Sequence, residues 1–180
     1  MQTKRKRLEI YVTKNIDKIY RLAFSYSKNQ QDAEDIVNES VRRALDGIEN
    51  LRNEEFLGTW FFRIVVNTAN TYLKSRSKLI YLDEIMEDSL TTEDKYQNTD
   101  LYEAVMKLDR KYRIIIVLKF YEDLTIERIS EILDENISTV KTRLYKALKK
   151  LKLEISKEDL LDEKTSFWRS ERKIWKHSCF

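Results

Sequence analysis

The segment TIERISEILDENISTVKTRL, residues 125–144, contains two amphipathic helices separated by a short polar break. Thr125 can cap the first helix, because a threonine before an apolar-periodic run accepts a hydrogen bond from a free backbone N–H. Asp134, Glu135 and Asn136 then interrupt the apolar pattern, and a longer helix follows. A short helix, a tight turn and a longer helix together indicate a helix-turn-helix arrangement.

The longer helix begins with polar and basic side chains that can contact DNA. In a helix-turn-helix, the first residues of the second helix reach base edges, while lysines and arginines contact phosphates. Residues 141–152 contain six bases and no acid, which favours a polyanionic partner. An ordinary amphipathic helix with a solvated basic face stays open as the alternative. The candidate DNA-binding residues are Ser138, Thr139, Lys141, Thr142, Arg143 and Lys146.

The rest of the chain also has a composition typical of helices. Among its 180 residues only Gly47 and Gly58 are glycines, and proline is absent. Rossmann, P-loop and β-rich folds need these residues at turns and phosphate-binding loops, so the composition argues against them. Hydrophobic residues make up 42% of the chain, which is enough to bury a core. The sequence therefore predicts an all-α fold.

Residues that usually carry enzyme chemistry are scarce. His177 and Cys179 are the only histidine and cysteine, so a disulfide framework, a typical zinc site and a Cys–His dyad are all excluded. No apolar run approaches the roughly 18 residues of a membrane span. No signal-peptide segment follows the basic N-terminus. We therefore expect a cytoplasmic protein that is not an enzyme and that uses no cofactor, metal or small-molecule substrate.

The net charge of +3 conceals a strong segregation of charge. Residues 83–100 carry a net charge of −6, and bases cluster at Lys4–Arg7, at 63–78 and at 141–152. Basic clusters beside an acidic segment suggest two domains that contact a polyanion and a connector that does not. We predict an N-terminal helical domain over residues 1–78, a flexible acidic linker over 79–98, a helix-turn-helix domain over 99–153 and a C-terminal tail over 154–180. The tail is either frayed or a docking segment for a regulator or a membrane surface.

The reach of the linker is compatible with DNA binding by both domains. The segment 79–98 has a coil span of about 25 Å and a fully extended limit of about 66 Å. One turn of DNA measures about 34–36 Å. The two domains can therefore bind sites that are one to nearly two turns apart.

In the N-terminal domain, three helices are predicted over about 5–28, from about Asp32 to Gly47, and from an Asn53 cap to about residue 76. The third helix carries a face with 3,4 spacing that joins an aromatic ring, amides and bases, which suits unpaired nucleic acid. For Trp60 alone, a core anchor is the competing interpretation. The second helix has a polar face that could simply be solvated. The face of the third helix comprises Trp60, Arg63, Asn67, Asn70 and Lys74, and that of the second comprises Asp35, Asn38, Glu39 and Arg42.

The order and spacing of several motifs resemble the extracytoplasmic-function (ECF) sigma factors of bacterial RNA polymerase. The resemblance covers about residues 8–153. The motifs are DAEDIVNE at 32–39, TWFFRIVVN at 59–67, LDRKYR at 108–113, YEDLT at 121–125, ISEIL at 129–133 and STVKTRL at 138–144.

The resemblance implies a role for each domain. By position, the polar face of the second helix corresponds to the surface that docks on core polymerase. The third helix and the preceding loop, Glu49–Glu55, correspond to the part that melts the minus-ten element and captures a flipped base of the non-template strand. The helix-turn-helix domain corresponds to the reader of the minus-thirty-five element. Implied partners are core RNA polymerase, promoter DNA as duplex and as melted single strand, and an anti-sigma factor, which in this family is commonly membrane-bound.

Some positions depart from the family pattern. Asn38 stands where glutamine is usual, and Val66 and Thr71 replace a common arginine and aspartate, which removes two expected minus-ten contacts. The turn Asp134–Ile137 lacks the usual glycine. A non-glycine residue in a left-handed turn costs roughly 1 kcal/mol, and the cost is least for asparagine or aspartate.

A second class of protein also fits the C-terminal motif. A helix-turn-helix repressor or activator that acts without core polymerase usually dimerises and reads a palindrome. The sequence shows no evident dimerisation helix, and the motifs of the first domain would be left unexplained.

Overall fold

A computed structural model describes residues 3–80 and 100–159, which contain eight α-helices and no strand. The helices form two domains, and the predicted all-α class is confirmed. The first domain contains α1 (Lys4–Lys14), α2 (Ile16–Ser27), α3 (Gln30–Gly47) and α4 (Leu57–Ile80). The second contains α5 (Asp100–Lys107), α6 (Arg110–Ile116), α7 (Ile126–Leu133) and α8 (Ile137–Asp159). Short 3-10 turns, Ile48–Asn50 and Glu54–Phe56, lead into α4, and a π-helical turn, Val117–Tyr121, follows α6.

The predicted single helix over 5–28 is wrong, because Asn15 divides it. The Asn15 side chain donates to the carbonyl of Tyr11 at 2.8 Å, and its backbone N–H contacts the carbonyls of Tyr11 and Val12. An asparagine side chain that bonds its own backbone competes with helix propagation. The chain therefore turns at Asn15, so that α1 and α2 pack on different parts of the domain.

The core of the first domain lies between α2, α3 and α4. Apolar residues at helical spacing face inward because burying them removes apolar area from water. Fully buried members include Ile19, Leu22, Ala33, Ile36, Phe61 and Val65. The spacing also predicts burial of Ile16 and Leu45, but these side chains are 43% and 41% exposed. Ile16 begins α2 and Leu45 lies in the last turn of α3, where fewer neighbours are available.

Caps in both domains set the helix boundaries. Asn29 caps α3 by accepting a hydrogen bond from the Asp32 N–H at 3.0 Å, so α3 begins at Gln30, two residues before the start predicted at about Asp32. Asn53 caps the turn before α4, and Thr125 caps α7, as the sequence predicts. Asn136 accepts from the Thr139 N–H at 2.8 Å and so begins α8. Satisfying these N–H groups stabilises the first turn of each helix.

The second domain packs α6 against α8 and α7 against α8. Its buried residues include Ile115, Leu118, Ile129, Ile132, Val140 and Ala147. The buried Arg113 connects this core to the first domain. Its guanidinium donates to the carbonyls of Met106 and Leu108 and, at 2.7 Å, to the carbonyl of Ser25 on α2. Burial lowers the pKa of Arg113 to about 10, which still leaves it charged at neutral pH.

The two domains are in contact in this structure. Helix α7 packs against α4, and α2 packs against α6 and the π-helical turn. The buried Glu122 accepts a hydrogen bond from Arg21 at 2.7 Å, and Lys18 lies 3.9 Å from its other carboxylate oxygen. Burial raises the pKa of Glu122, and the positive charge of Arg21 opposes that rise.

The predicted linker and tail fall largely outside the described residues. Helix α4 extends to Ile80 and α8 to Asp159, a few residues beyond the ends predicted near 76 and 152. The acidic segment and the chain after Asp159 are not described. The helix bounds leave 81–99 as the interval between the domains.

Candidate polymerase and nucleic-acid interfaces

Helix α4 presents most of the predicted nucleic-acid face to solvent. Arg63, Asn67, Asn70 and Lys74 are all exposed and lie on one side of the helix. Trp60 differs, because it is half-buried and packs against the core. A methyl group added at Gly47 would come within 3.4 Å of the Trp60 ring. The structure therefore brings four polar residues together and makes Trp60 in part a core residue.

Helix α4 is held against α3 by a polar cluster that sequence reasoning missed. The Tyr72 hydroxyl lies 3.1 Å from Asp32 Oδ1 and 3.0 Å from Asp35 Oδ2, and Arg76 forms an ion pair with Asp32. Partial burial and the hydrogen bond to Asp35 raise the pKa of Tyr72. The Asp32 carboxylate is buried, so these partners compensate its lost hydration. The cluster fixes the position of the polar face of α4.

The predicted polymerase face of α3 is a surface network of ion pairs. Glu39 accepts hydrogen bonds from Arg42 and Arg43, both at 2.7 Å, and Arg42 also contacts Asp46 at 2.9 Å. Hydrogen bonds from Arg42 and Arg43 lower the pKa of Glu39 to about 2, so it is ionised throughout the physiological range. Asn38 is exposed beside this network. Arg43 and Asp46 also belong to this network, although neither was predicted. Each lies four residues after a predicted member, Glu39 or Arg42, so helical spacing could have identified both.

Of the predicted polymerase contacts, Asp35 has a second role. One of its carboxylate oxygens accepts the hydrogen bond from Tyr72, so Asp35 takes part in the α3–α4 cluster. Its burial is intermediate, whereas Asn38 and Arg42 are exposed.

The helix-turn-helix places the predicted recognition residues on the first three turns of α8. Thr139 and Ser138 donate their hydroxyl protons to Asn136 Oδ1 at 2.8 and 2.6 Å. Thr142 donates to the Ser138 carbonyl at 2.9 Å. These bonds orient the hydroxyl oxygens while their remaining lone pairs stay available as acceptors.

The basic residues of α8 divide into two kinds. Lys141 and Lys146 are exposed, whereas Arg143 is partly buried and pairs with Glu135 at 2.6 Å. A cleft of about 310 Å³ lies beside this face. Its lining includes Lys111 of α6, which sequence reasoning missed because it lies far from α8 in the chain. The cleft is lined by Lys111, Tyr112, Ser138, Thr139, Thr142, Arg143 and Lys146.

The two predicted DNA faces approach each other across the domain contact. Arg63 of α4 pairs with Asp134 of the helix-turn-helix turn at 2.9 Å. The Arg128 guanidinium lies 4.8 Å from the centre of the Phe56 ring, close enough for a cation–π interaction. A cleft of about 550 Å³ lies between the domains, and both Asn70 and Arg143 line it.

Within 3–80 and 100–159, no three histidine, cysteine, aspartate or glutamate side chains are grouped so that they could hold a metal ion. Over the same residues, no helix combines the length and hydropathy needed to cross a membrane.

Comparison with known proteins identifies both domains. Residues 11–79 match the family "Sigma-70 region 2", and residues 99–151 match "Sigma-70, region 4". Together with the relatives described next, these matches show that the chain belongs to the extracytoplasmic-function sigma factors, which are promoter-specific initiation factors of bacterial RNA polymerase. The resemblance predicted from the sequence motifs is confirmed, and the region 2 match disfavours a repressor that acts without core polymerase.

Among individual relatives, RNA polymerase sigma factor SigV of Bacillus subtilis is 46% identical over 161 residues, covering 88% of this chain and 97% of that protein. ECF RNA polymerase sigma factor SigW of the same organism is 30% identical over 156 residues, covering 77% of this chain and 83% of that protein.

Solved structures share the fold at low sequence identity. The sigma factor RpoE of Bartonella quintana, in complex with the anti-sigma factor NepR, matches with a TM-score of 0.73 and 20% identity over 84% of this chain and 98% of that one. CnrH in complex with the cytosolic domain of CnrY matches with a TM-score of 0.57 and 19% identity over 89% of this chain and 90% of that one.

Proposed function

We propose that the two domains divide promoter recognition between them. The domain over 1–78 binds melted minus-ten DNA through the polar face of α4, and the domain over 99–153 binds minus-thirty-five duplex through α8. The acidic segment over 79–98 connects them. The observation that carries this proposal is that each domain presents one exposed helix face of bases and hydrogen-bonding side chains. Arginine and lysine supply phosphate contacts, and amides and hydroxyls supply contacts to bases.

The polymerase-binding surface in this proposal is the outer face of α3. Asp35, Asn38, Glu39 and Arg42 lie on that helix, and Asp35 also accepts the Tyr72 hydrogen bond that joins α3 to α4. Because the Glu39 carboxylate is held between Arg42 and Arg43, the face presents a fixed pattern of charge to a partner. Charge complementarity at the rim of an interface favours specificity and fast association.

The chain itself carries out no catalysis in this proposal. The polymerase makes the RNA, and this protein supplies only binding energy and selectivity. Its place of action is the cytoplasm, where bacterial transcription occurs. An anti-sigma factor is a further proposed partner, since the sigma factor RpoE described above is in complex with the anti-sigma factor NepR.

Two charge reversals separate the DNA and polymerase roles. Replacing Lys141 and Arg143 with glutamate should weaken duplex minus-thirty-five binding by the holoenzyme at least about tenfold, because two favourable charges become repulsive. Core polymerase binding should be unchanged. The matched control is Arg5→Glu with Lys14→Glu, which alters net charge equally on α1, far from α8 along the chain.

The second charge reversal, Glu39→Lys, tests the polymerase-binding face of α3. Its control is Glu34→Lys, the same change elsewhere on that helix. Glu39→Lys should reduce capture of core polymerase in a pull-down, and Glu34→Lys should not. Retention of core at the wild-type level by Glu39→Lys would remove α3 from the polymerase interface. Normal promoter binding by the Lys141 and Arg143 variant would remove α8 from the DNA interface.

A further inference from the structure

The basic residues at the start of the chain contact the first domain itself. Lys4 Nζ donates to the backbone carbonyl oxygens of Glu49 and Leu51, at 2.8 and 2.9 Å. Arg7 pairs with Glu54. These contacts span more than forty residues of sequence and join α1 to the segment that precedes α4. We call that segment, residues 48–56, the 48–56 loop.

The 48–56 loop has few backbone bonds of its own. Its first 3-10 turn ends at Asn50, where carbonyl groups lack a helical partner, and Lys4 supplies the missing donor. A charged amine forms shorter and stronger hydrogen bonds to carbonyls than a neutral donor does. Leu8 of α1 and Leu51 of the loop are both buried in the hydrophobic core, and α1 also packs against the first 3-10 turn of the loop.

The loop carries exposed side chains that can recognise a base. Asn50, Arg52 and Asn53 are all exposed, and the chain continues directly into α4. Unpaired bases are recognised by hydrogen bonds to their Watson–Crick edges. Such bonds discriminate between bases only when the donors and acceptors are held in place, because misplaced groups adapt to any base.

We propose that Lys4 and Arg7 are positioning residues that hold the 48–56 loop in the shape that recognises an unpaired base of the minus-ten element. This inference rests on the function proposed above for the first domain. This role accounts for the basic residues at the start of α1, since the charged groups of Lys4 and Arg7 contact the 48–56 loop.

The test uses the holoenzyme reconstituted from the full chain and core polymerase. A single-stranded DNA library, randomised over the minus-ten region, is selected for binding. Lys4→Met should lower affinity for the wild-type-selected strand about tenfold, as expected for losing two charged hydrogen bonds. It should also flatten the preference at one selected base position. Lys4→Arg should restore both, because a guanidinium can also donate to two carbonyls.

Lys6→Met is the matched control, since the Lys6 ammonium pairs with the neighbouring Glu9 on the surface of α1, at 3.0 Å. Arg7→Met is a second variant that reaches the loop through Glu54. Core binding and helical circular dichroism confirm that each variant is folded. Unchanged base preference and affinity in both Lys4→Met and Arg7→Met would overturn the positioning role. If the wild-type holoenzyme selected no sequence at all, the proposed function itself would fail.

Discussion

At the scale of single residues, the two glycines have an unexpected use. Neither Gly47 nor Gly58 has a positive φ, whereas Lys28, Asp123 and Asp134 do, at 55°, 51° and 56°. A methyl group at Gly58 would come within 3.1 Å of the Tyr11 hydroxyl oxygen. The glycines thus allow close packing, while the left-handed turns are made by side-chain-bearing residues.

The left-handed backbone conformation of Lys28 is strained, and a glycine at this position should relieve the strain. Lys28 ends α2 in the left-handed conformation, with its N–H donating to the Phe24 carbonyl at 2.8 Å. Glycine removes a steric cost of about 1 kcal/mol but adds roughly 0.5 kcal/mol of unfolded-state entropy. Lys28→Gly should therefore raise the free energy of unfolding by about 0.5 kcal/mol.

Thermal denaturation of the wild type, Lys28→Gly and Lys28→Ala gives the comparison. Alanine retains the Cβ atom and should give no gain, which separates backbone strain from the loss of the lysine side chain. A lower midpoint for Lys28→Gly than for Lys28→Ala would show that the turn is not strained.

At the scale of helices, apolar spacing predicted most of the fold. The helix-turn-helix, its Thr125 cap and its break at Asp134 follow from local residues, because caps and periodicity act within a few positions. The division at Asn15 was missed because it depends on a side chain bonding backward to Tyr11. Asparagine within an apolar-periodic run does this only where the packing favours a turn.

The buried surface of α4 shows a different limit. Spacing predicts Phe61, Val65 and Thr68 on its inner side, and all three are buried. Phe62 and Val66 are also only 4% and 3% exposed. Val66 lines the cleft between the domains, so its burial depends on a docking partner more than forty residues away in the chain. The apolar periodicity of α4 alone does not show that another domain covers Val66.

The candidate sites could be predicted only in part, because helical spacing shows which residues share a face and does not show which distant segments meet. Residues that share one helix face, such as Arg63, Asn67 and Asn70, could be grouped from their spacing. Contacts between distant segments, such as Lys4 with the 48–56 loop and Lys111 beside α8, became visible only in three dimensions.

At the scale of the whole molecule, the distribution of charge and the arrangement of the two domains both bear on the proposed DNA binding. The segregation that a net charge of +3 conceals places basic faces on α4 and α8. The structure adds that these faces approach each other when the domains are in contact. The linker predicted from the sequence allows the two proposed DNA-binding faces to reach sites one to nearly two DNA turns apart, and one turn measures about 34–36 Å.

The central claim is that this chain directs core polymerase to particular promoters. Transcription in vitro, with purified core polymerase and fragmented genomic DNA from the source bacterium, tests it most directly. We predict discrete transcripts that require the wild-type chain, that begin downstream of a shared pair of elements and that are lost with Glu39→Lys. No chain-dependent transcript, combined with sequence-specific duplex binding by the chain alone, would contradict the account.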